Sequence, residues 1–411
     1  MKANSKTISK CQIAGTSDLK SIMFFGYLPP PTEMKKINSR IEEKKFYPAN
    51  LVYSNTSKLV QLNTIVKKEI LFPRSYAYTS STTKILRDNF KELSEEVFNK
   101  FKIDKEDLII DIGSNDGNLL SNFLNKTRVL GVTPEDIGQL AIEKGIPTIL
   151  DYFTPTLSKN IKNKYGLAKI ITAANVFAHM DNIGEILNSV VDLLKDDGIF
   201  ISESHYLLSL IEENQYDTIY HEHLRYYSLS SLDFLFKKHD MEIIGAKRIN
   251  THGGSIRVYA GKKNRHKIDN SFLELIDYEN KELFSKDLFN FKNKVVNSKL
   301  KLYSLLKEII NNGFKIYGIS APSRSTTLIN YVGINADIMD CILEVDGSQK
   351  INHYLPGTDI PILNEKKLYL DQPEYALILS WHISDELINS LRKKGYKGKF
   401  IIPLPEPNIV D

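Results

Sequence analysis

Cysteine is close to absent from this chain. Its 411 residues contain two, Cys11 and Cys341. A pair so widely separated cannot organise a disulfide scaffold, and such usage fits a reducing compartment. Long apolar runs are missing as well, since no stretch approaches the ~18 consecutive apolar residues of a membrane span. The first residues hold no apolar core of a signal peptide. Nor does one charge sign dominate. The formal net charge is +4, with lysine spread along the whole chain, which argues against a nucleic-acid groove. A cytoplasmic protein that partners neither membrane nor nucleic acid is expected.

What is present is ordinary globular material, and disorder is excluded: 42% of residues are hydrophobic and 25% charged. The length calls for two or three domains. Residues 1–75 carry Pro29-Pro30-Pro31 and short β-type runs such as Leu59-Val60-Gln61-Leu62, with no long helical period. A small loop-rich module without a staple is expected there, leaning on its neighbour.

Ile85, Leu86, Phe90, Leu93, Val97 and Phe101 then recur at steps of three and four, the mark of an amphipathic helix. Apolar strands follow at Leu108-Ile109-Ile110-Asp111-Ile112, Val129 to Val132, Lys169 to Ala173 and Gly198 to Ile201. Helices are expected after Gly117, from Pro134, and from Ile183 to Leu194. Later strands at Glu242 to Ile244 and Ile256 to Tyr259 complete a domain over 76–262. This alternation implies a mainly parallel, doubly wound α/β sheet. A lysine-rich helical region opens a second α/β unit over 263–411, with strands near Lys315, Ile338 to Leu343, Ala376 and Phe400.

Asp111-Ile112-Gly113-Ser114-Asn115-Asp116-Gly117 lies where a strand turns, at the usual ligand edge of such a sheet. Its Gly-x-x-x-Gly spacing is shorter than the dinucleotide pattern. Carboxylates Asp111 and Asp116 would repel a pyrophosphate and suit a cationic amino group, so S-adenosylmethionine is favoured over NAD. The acid expected after the second strand, for ribose hydroxyls, is replaced by Thr133. Glu135 is near enough to substitute or to serve only as a helix start. Asp151 follows the third strand, where it could accept from an adenine amino group.

Imidazole is concentrated in this domain: six of the nine histidines fall between His179 and His252. Asn175-Val176-Phe177-Ala178-His179 follows the fourth strand. Tyr220-His221-Glu222-His223 groups proton-handling side chains in one short segment. His221 and His223 also have the i, i+2 spacing of strand-borne zinc ligands, although no cysteine lies near. His252-Gly253-Gly254-Ser255-Ile256-Arg257 joins two late strands, with Arg257 available to an anionic group.

Together these motifs resemble one family, the three-domain sugar C-methyltransferases acting on nucleotide-linked 4-keto-deoxysugars, over nearly the full chain. The resemblance rests on the Ile112 to Gly117 loop, on Asn175 to His179, on Tyr216 to His223 and on His252 to Arg257. Tyr76-Ala77-Tyr78-Thr79-Ser80-Ser81, Gly318 to Arg324 and Pro356 to Pro361 are similar to further signatures. It implies a Rossmann-like class I methyltransferase domain between a small N-terminal module and a second Rossmann-like α/β domain. The implied cofactor is S-adenosylmethionine, held by Asp111, Gly113, Ser114, Asn115, Asp116, Gly117, Thr133, Asp151 and Asn175.

The implied reaction removes the proton beside a ketone and methylates the resulting enolate. His223 is the base, Tyr220 and Glu222 position base or sugar, and His179 stabilises the enolate oxygen. Tyr76, Tyr78, Ser80, His252, Arg257 and Arg324 are expected against the nucleotide sugar. Family members carry four N-terminal cysteines around zinc. Here Cys11 remains, while Ala14, Ser54 and Ser57 occupy the matching places, so no zinc is expected. Two other readings stay open: an epimerase-type enzyme using the same base without methyl transfer, or a non-catalytic binder of nucleotide sugar or a partner enzyme. Oligomeric state is not legible.

Overall fold

The computed structural model describes residues 3–39, 43–74, 79–284 and 288–411. Its central feature is a seven-stranded sheet. The strands run in the order Met241–Ile249, Ser255–Lys262, Leu194–His205, Ala168–Ala174, Leu108–Ile112, Arg128–Val132, Thr148–Ile149. Only Ser255–Lys262 is antiparallel to its neighbours. Counted in chain order from the far edge this is 3-2-1-4-5-7-6, a Rossmann-like sheet whose order reverses beside Leu108–Ile112. That strand is buried along its whole length, as a central parallel strand must be.

The amphipathic helix is Lys84–Lys100, burying Leu86, Phe90, Leu93 and Val97 and leaving Ile85 at the surface. Two helix expectations need correcting. After Gly117 there is only a single 3-10 turn, Leu120–Asn122, because Asn115 and Gly117 take left-handed backbone and the following segment is too short to propagate a helix. The helix after the second strand starts at Gly138, not at Pro134, and has no acid in its first turn. Glu135 is thereby freed from helix duty.

The last part of the chain supplies seven strands of an eight-stranded sheet whose parallel core is Lys399–Ile402, Tyr375–Ile378, Ile316–Ile319, Cys341–Glu344 and Pro361–Asn364. Two short strands tie the parts together. Lys35–Lys36 of the N-terminal region pairs with His353–Tyr354 at the edge of that sheet. Arg225–Tyr226 pairs with Val60–Leu62 and so joins the N-terminal antiparallel sheet. The small module leans on both neighbours through backbone hydrogen bonds.

Three of the residues that the resemblance matched to zinc ligands, Cys11, Ser54 and Ser57, make hydrogen bonds. Cys11 Sγ lies 3.1 Å from Ser57 Oγ. Ser54 Oγ and the Thr56 amide donate to Asp18, at 3.0 and 2.7 Å. Asp18 thereby joins its own loop to the Ser54–Thr56 turn.

Candidate active site

Strand Leu108–Ile112 delivers the glycine loop to the carboxyl edge of the sheet. Gly113 has φ +79°, and a Cβ there would meet Val176 at 2.8 Å, so the loop packs directly on the segment after strand Ala168–Ala174. Asp111 itself is buried and accepts from Thr172 Oγ1 at 2.6 Å. Burial, reinforced by nearby Glu203, pushes its carboxyl up to about 7 against the Thr172 bond. Asp116 accepts from Ser80 Oγ at 2.6 Å and faces Lys144 Nζ at 3.4 Å. Despite its burial, these partners hold it below the usual carboxylate range. Ser80 also donates its amide to Asn115 Oδ1 at 2.9 Å. Ser80 thus secures the glycine loop, where a sugar contact was expected. Tyr76 and Tyr78 lie outside the described residues.

Three buried polar atoms at this edge have no hydrogen-bond partner among the described residues: Ser114 Oγ, Asn118 Nδ2 and Asn175 Oδ1. Buried polar atoms are rarely left so, and a polar ligand would satisfy them. Thr133, buried at the end of the second strand, donates to Glu135 Oε2 at 2.5 Å. It holds a carboxylate beside the place where the sequence lacks one. Glu135 is the residue sequence reading undervalued; its i+2 spacing from Thr133 was the available signal. Asp151 is exposed and accepts from the Tyr152 amide at 2.7 Å.

Beside this loop four imidazoles cluster, their rings tilted against one another. Ring centroids of His179 and His223 are 5.0 Å apart, as are those of His205 and His223, and His205 to His252 is 5.5 Å. Each comes from a different strand end or loop, so the topology gathers what the sequence scatters. The Tyr220 ring lies 4.2 Å from His223. His205 closes strand Leu194–His205. Its position at a strand end was the signal that sequence reading passed over.

The protons can be placed. His223 Nδ1 lies 2.7 Å from the Thr218 carbonyl, which can only accept, so Nδ1 carries the hydrogen and the neutral ring bares Nε2. Burial, then the neighbouring His179, pushes His223 well below the ordinary imidazole value. Burial, then the neighbouring His223, depresses His205 as well, and burial lowers His252 to about 4. His179 Nδ1 donates to the Glu222 carbonyl at 2.6 Å. A neutral His179 has no second N–H, which removes its expected role as donor to an enolate oxygen. Burial raises the Tyr220 phenol well above its ordinary value, so it stays protonated.

His221 points elsewhere. Its Nε2 reaches the Pro48 carbonyl at 3.2 Å and its ring sits by Tyr47. It diverges from His223, and among the described residues no three His, Cys, Asp or Glu side chains form a metal-binding group.

Both arginines expected at the substrate are consumed within the protein. Arg257 is fully buried, with Nε 2.5 Å from Glu203, Nη1 2.7 Å from Glu96 and Nη2 2.8 Å from Asn89 Oδ1. Arg324 forks onto Asp217 at 2.7 and 2.8 Å, and its remaining donors meet His382, the His252 carbonyl and Gln215. All five N–H groups of Arg324 are thereby used. The carboxylates responsible lie 54 and 107 residues away in sequence, so proximity along the chain gave no signal.

Residues 78–245 match the family described as "Methyltransferase domain", and residues 250–405 the family described as "C-methyltransferase C-terminal domain". C-methyltransferase NovU of Streptomyces niveus is 28% identical over 98% of this chain and 97% of its own length. Among solved structures, an S-adenosylmethionine-dependent methyltransferase from Clostridium acetobutylicum aligns at 14% identity, covering 45% of this chain and 94% of that one, with a TM-score of 0.34. The plantazolicin methyltransferase BpumL aligns at 14% identity over 47% and 90%, with a TM-score of 0.37.

Proposed function

We propose that this chain, which matches a methyltransferase domain and a C-methyltransferase C-terminal domain and is similar to C-methyltransferase NovU, is a C-methyltransferase that methylates a nucleotide-linked 4-keto-deoxysugar at the carbon beside the ketone. The observation that carries this reading is His223: neutral, buried, and fixed by Thr218 in the tautomer that leaves Nε2 free to take a proton.

The ketone acidifies the neighbouring C–H. His223 Nε2 takes that proton, and the electron pair moves into the enolate. The Tyr220 phenol, held protonated by burial, is suited to donate to the enolate oxygen. His179, tied to the Glu222 carbonyl, and His205 both pack against the His223 ring. When bound, S-adenosylmethionine supplies a methyl carbon electrophilic enough for the enolate carbon to take. The Asp111 to Gly117 loop, Ser114, Asn118, Asn175 and the Thr133–Glu135 pair are the residues that would hold it. Their buried unpartnered atoms support the fit.

Deuterium exchange tests the reading. With a nucleotide-linked 4-keto-deoxysugar in heavy water, label should enter beside the ketone, and His223→Ala should abolish entry. Retained exchange in that variant would remove His223 as the base. The epimerase-type alternative predicts exchange with no methyl gain when S-adenosylmethionine is added.

A further inference from the structure

The segment that carries His223 is not held by its own domain alone. Asp217, fully buried, receives both arms of Arg324 and the indole N–H of Trp381 at 2.8 Å. Two residues on, the Ile219 carbonyl accepts from Thr327 Oγ1 at 3.0 Å. Arg324 and Thr327 both lie on helix Ser323–Val332 of the last domain, and Trp381 lies just after its strand Tyr375–Ile378. Between these two anchored residues sits Thr218, whose carbonyl fixes the His223 proton. At its other end the segment is held by the N-terminal module, through Leu62 N to the Leu224 carbonyl at 3.1 Å.

We propose that the C-terminal domain takes part in the chemistry by positioning: Arg324, Thr327 and Trp381 clamp Asp217 and Ile219, and so hold the Thr218 carbonyl where it sets the His223 tautomer. This rests on His223 being the base. Three separate donors converge on two residues flanking one carbonyl. A buried carboxylate with three charge-assisted or indole bonds is a rigid anchor. Loosening it lets the imidazole exchange tautomers, and rings with hydrogen on Nε2 cannot accept the substrate's proton. A displaced base of this kind lowers turnover without weakening binding.

The test uses full-length Trp381→Phe and Thr327→Val, each of which removes one clamp hydrogen bond and keeps bulk, with Arg324→Lys as a third variant. Deuterium entry is measured at saturating and limiting sugar across pH. The expected result is a saturated exchange rate lower by about tenfold to a hundredfold, with the half-saturating sugar concentration unchanged. The acid limb should also move to lower pH, because a bond that favours imidazolium is weakened. The groups facing His223 from other elements, His179, His205, His252, Tyr220, Tyr226 and Arg324, are unaltered in the first two variants. A raised half-saturation with unchanged saturated rate would mean that these residues bind sugar, and would overturn the proposal. So would lost thermal stability with an unchanged pH profile. Absence of exchange in the unaltered protein would instead sink the underlying reading of His223.

Discussion

Replacing Arg257 with leucine should strand a carboxylate. In the folded protein the Arg257 and Glu203 side chains are both 0% exposed, and their closest contact is 2.5 Å. Glu96, the second acid on Arg257, keeps Lys247 and Tyr259 as partners, so it remains compensated. Among the described residues Glu203 retains only Asn89 Nδ2, at 2.9 Å. Removing one member of a buried pair costs about 3–5 kcal/mol, mostly as the desolvation of the charge left behind. That is a large share of the ~5–15 kcal/mol that holds a typical domain folded. At about 2–4 °C per kcal/mol for a domain of this size, Tm should fall by roughly 10 °C. Thermal and urea unfolding of Arg257→Leu would measure this, and the double variant with Glu203→Gln should recover most of the loss. Unchanged stability with a tenfold weaker hold on the sugar would refute the reasoning and return Arg257 to the substrate.

Three further outcomes are expected. The Asp111 carboxyl is raised from 3.8 to about 7 in the fold, so the native state keeps a proton that the unfolded chain releases between those values. Stability should therefore fall as pH rises through that window, and Asp111→Asn should be more stable than the parent by roughly a few kcal/mol at pH 8 and equal to it near pH 4; identical pH dependence of Tm in the two proteins would contradict this. Ser80→Ala removes the 2.6 Å bond to Asp116, and calorimetry should find S-adenosylmethionine bound about tenfold more weakly, whereas unchanged affinity would detach Ser80 from the cofactor loop. Metal analysis should find no stoichiometric zinc in the protein, and Ala14→Cys with Ser54→Cys and Ser57→Cys should introduce it; zinc in the unaltered protein would show that Cys11 and Ser57 do not replace a metal.

The parallel core was legible because its strands are continuous apolar runs set off by glycine and polar turns. Leu108–Ile112 follows from residue type alone. The helix expected after Gly117 failed because periodicity cannot see that Asn115 and Gly117 adopt left-handed backbone and leave a single turn. The small strands Lys35–Lys36 and Arg225–Tyr226 exist only because another domain offers an edge, which a local pattern cannot encode. Within the site, the His179 and His223 motifs could be read as proton-handling groups, and the structure brings them ring to ring. His205 has no motif beside it in the sequence, so no local motif marked it. Arg257 and Arg324 looked available to an anion because the acids that consume them are remote in sequence. Thr133 read as a loss, until the fold put Glu135 on its hydroxyl.

The proposed reaction has His223 deprotonate a keto-sugar for carbon methylation. The most direct measurement is mass spectrometry of a nucleotide-linked 4-keto-deoxysugar after incubation with the protein, S-adenosylmethionine carrying a labelled methyl group, and heavy water. The account predicts one labelled methyl bonded to the carbon beside the ketone, with deuterium entering that same position when the methyl donor is withheld. A methyl found on oxygen, or methyl transfer that persists in His223→Ala, would contradict it.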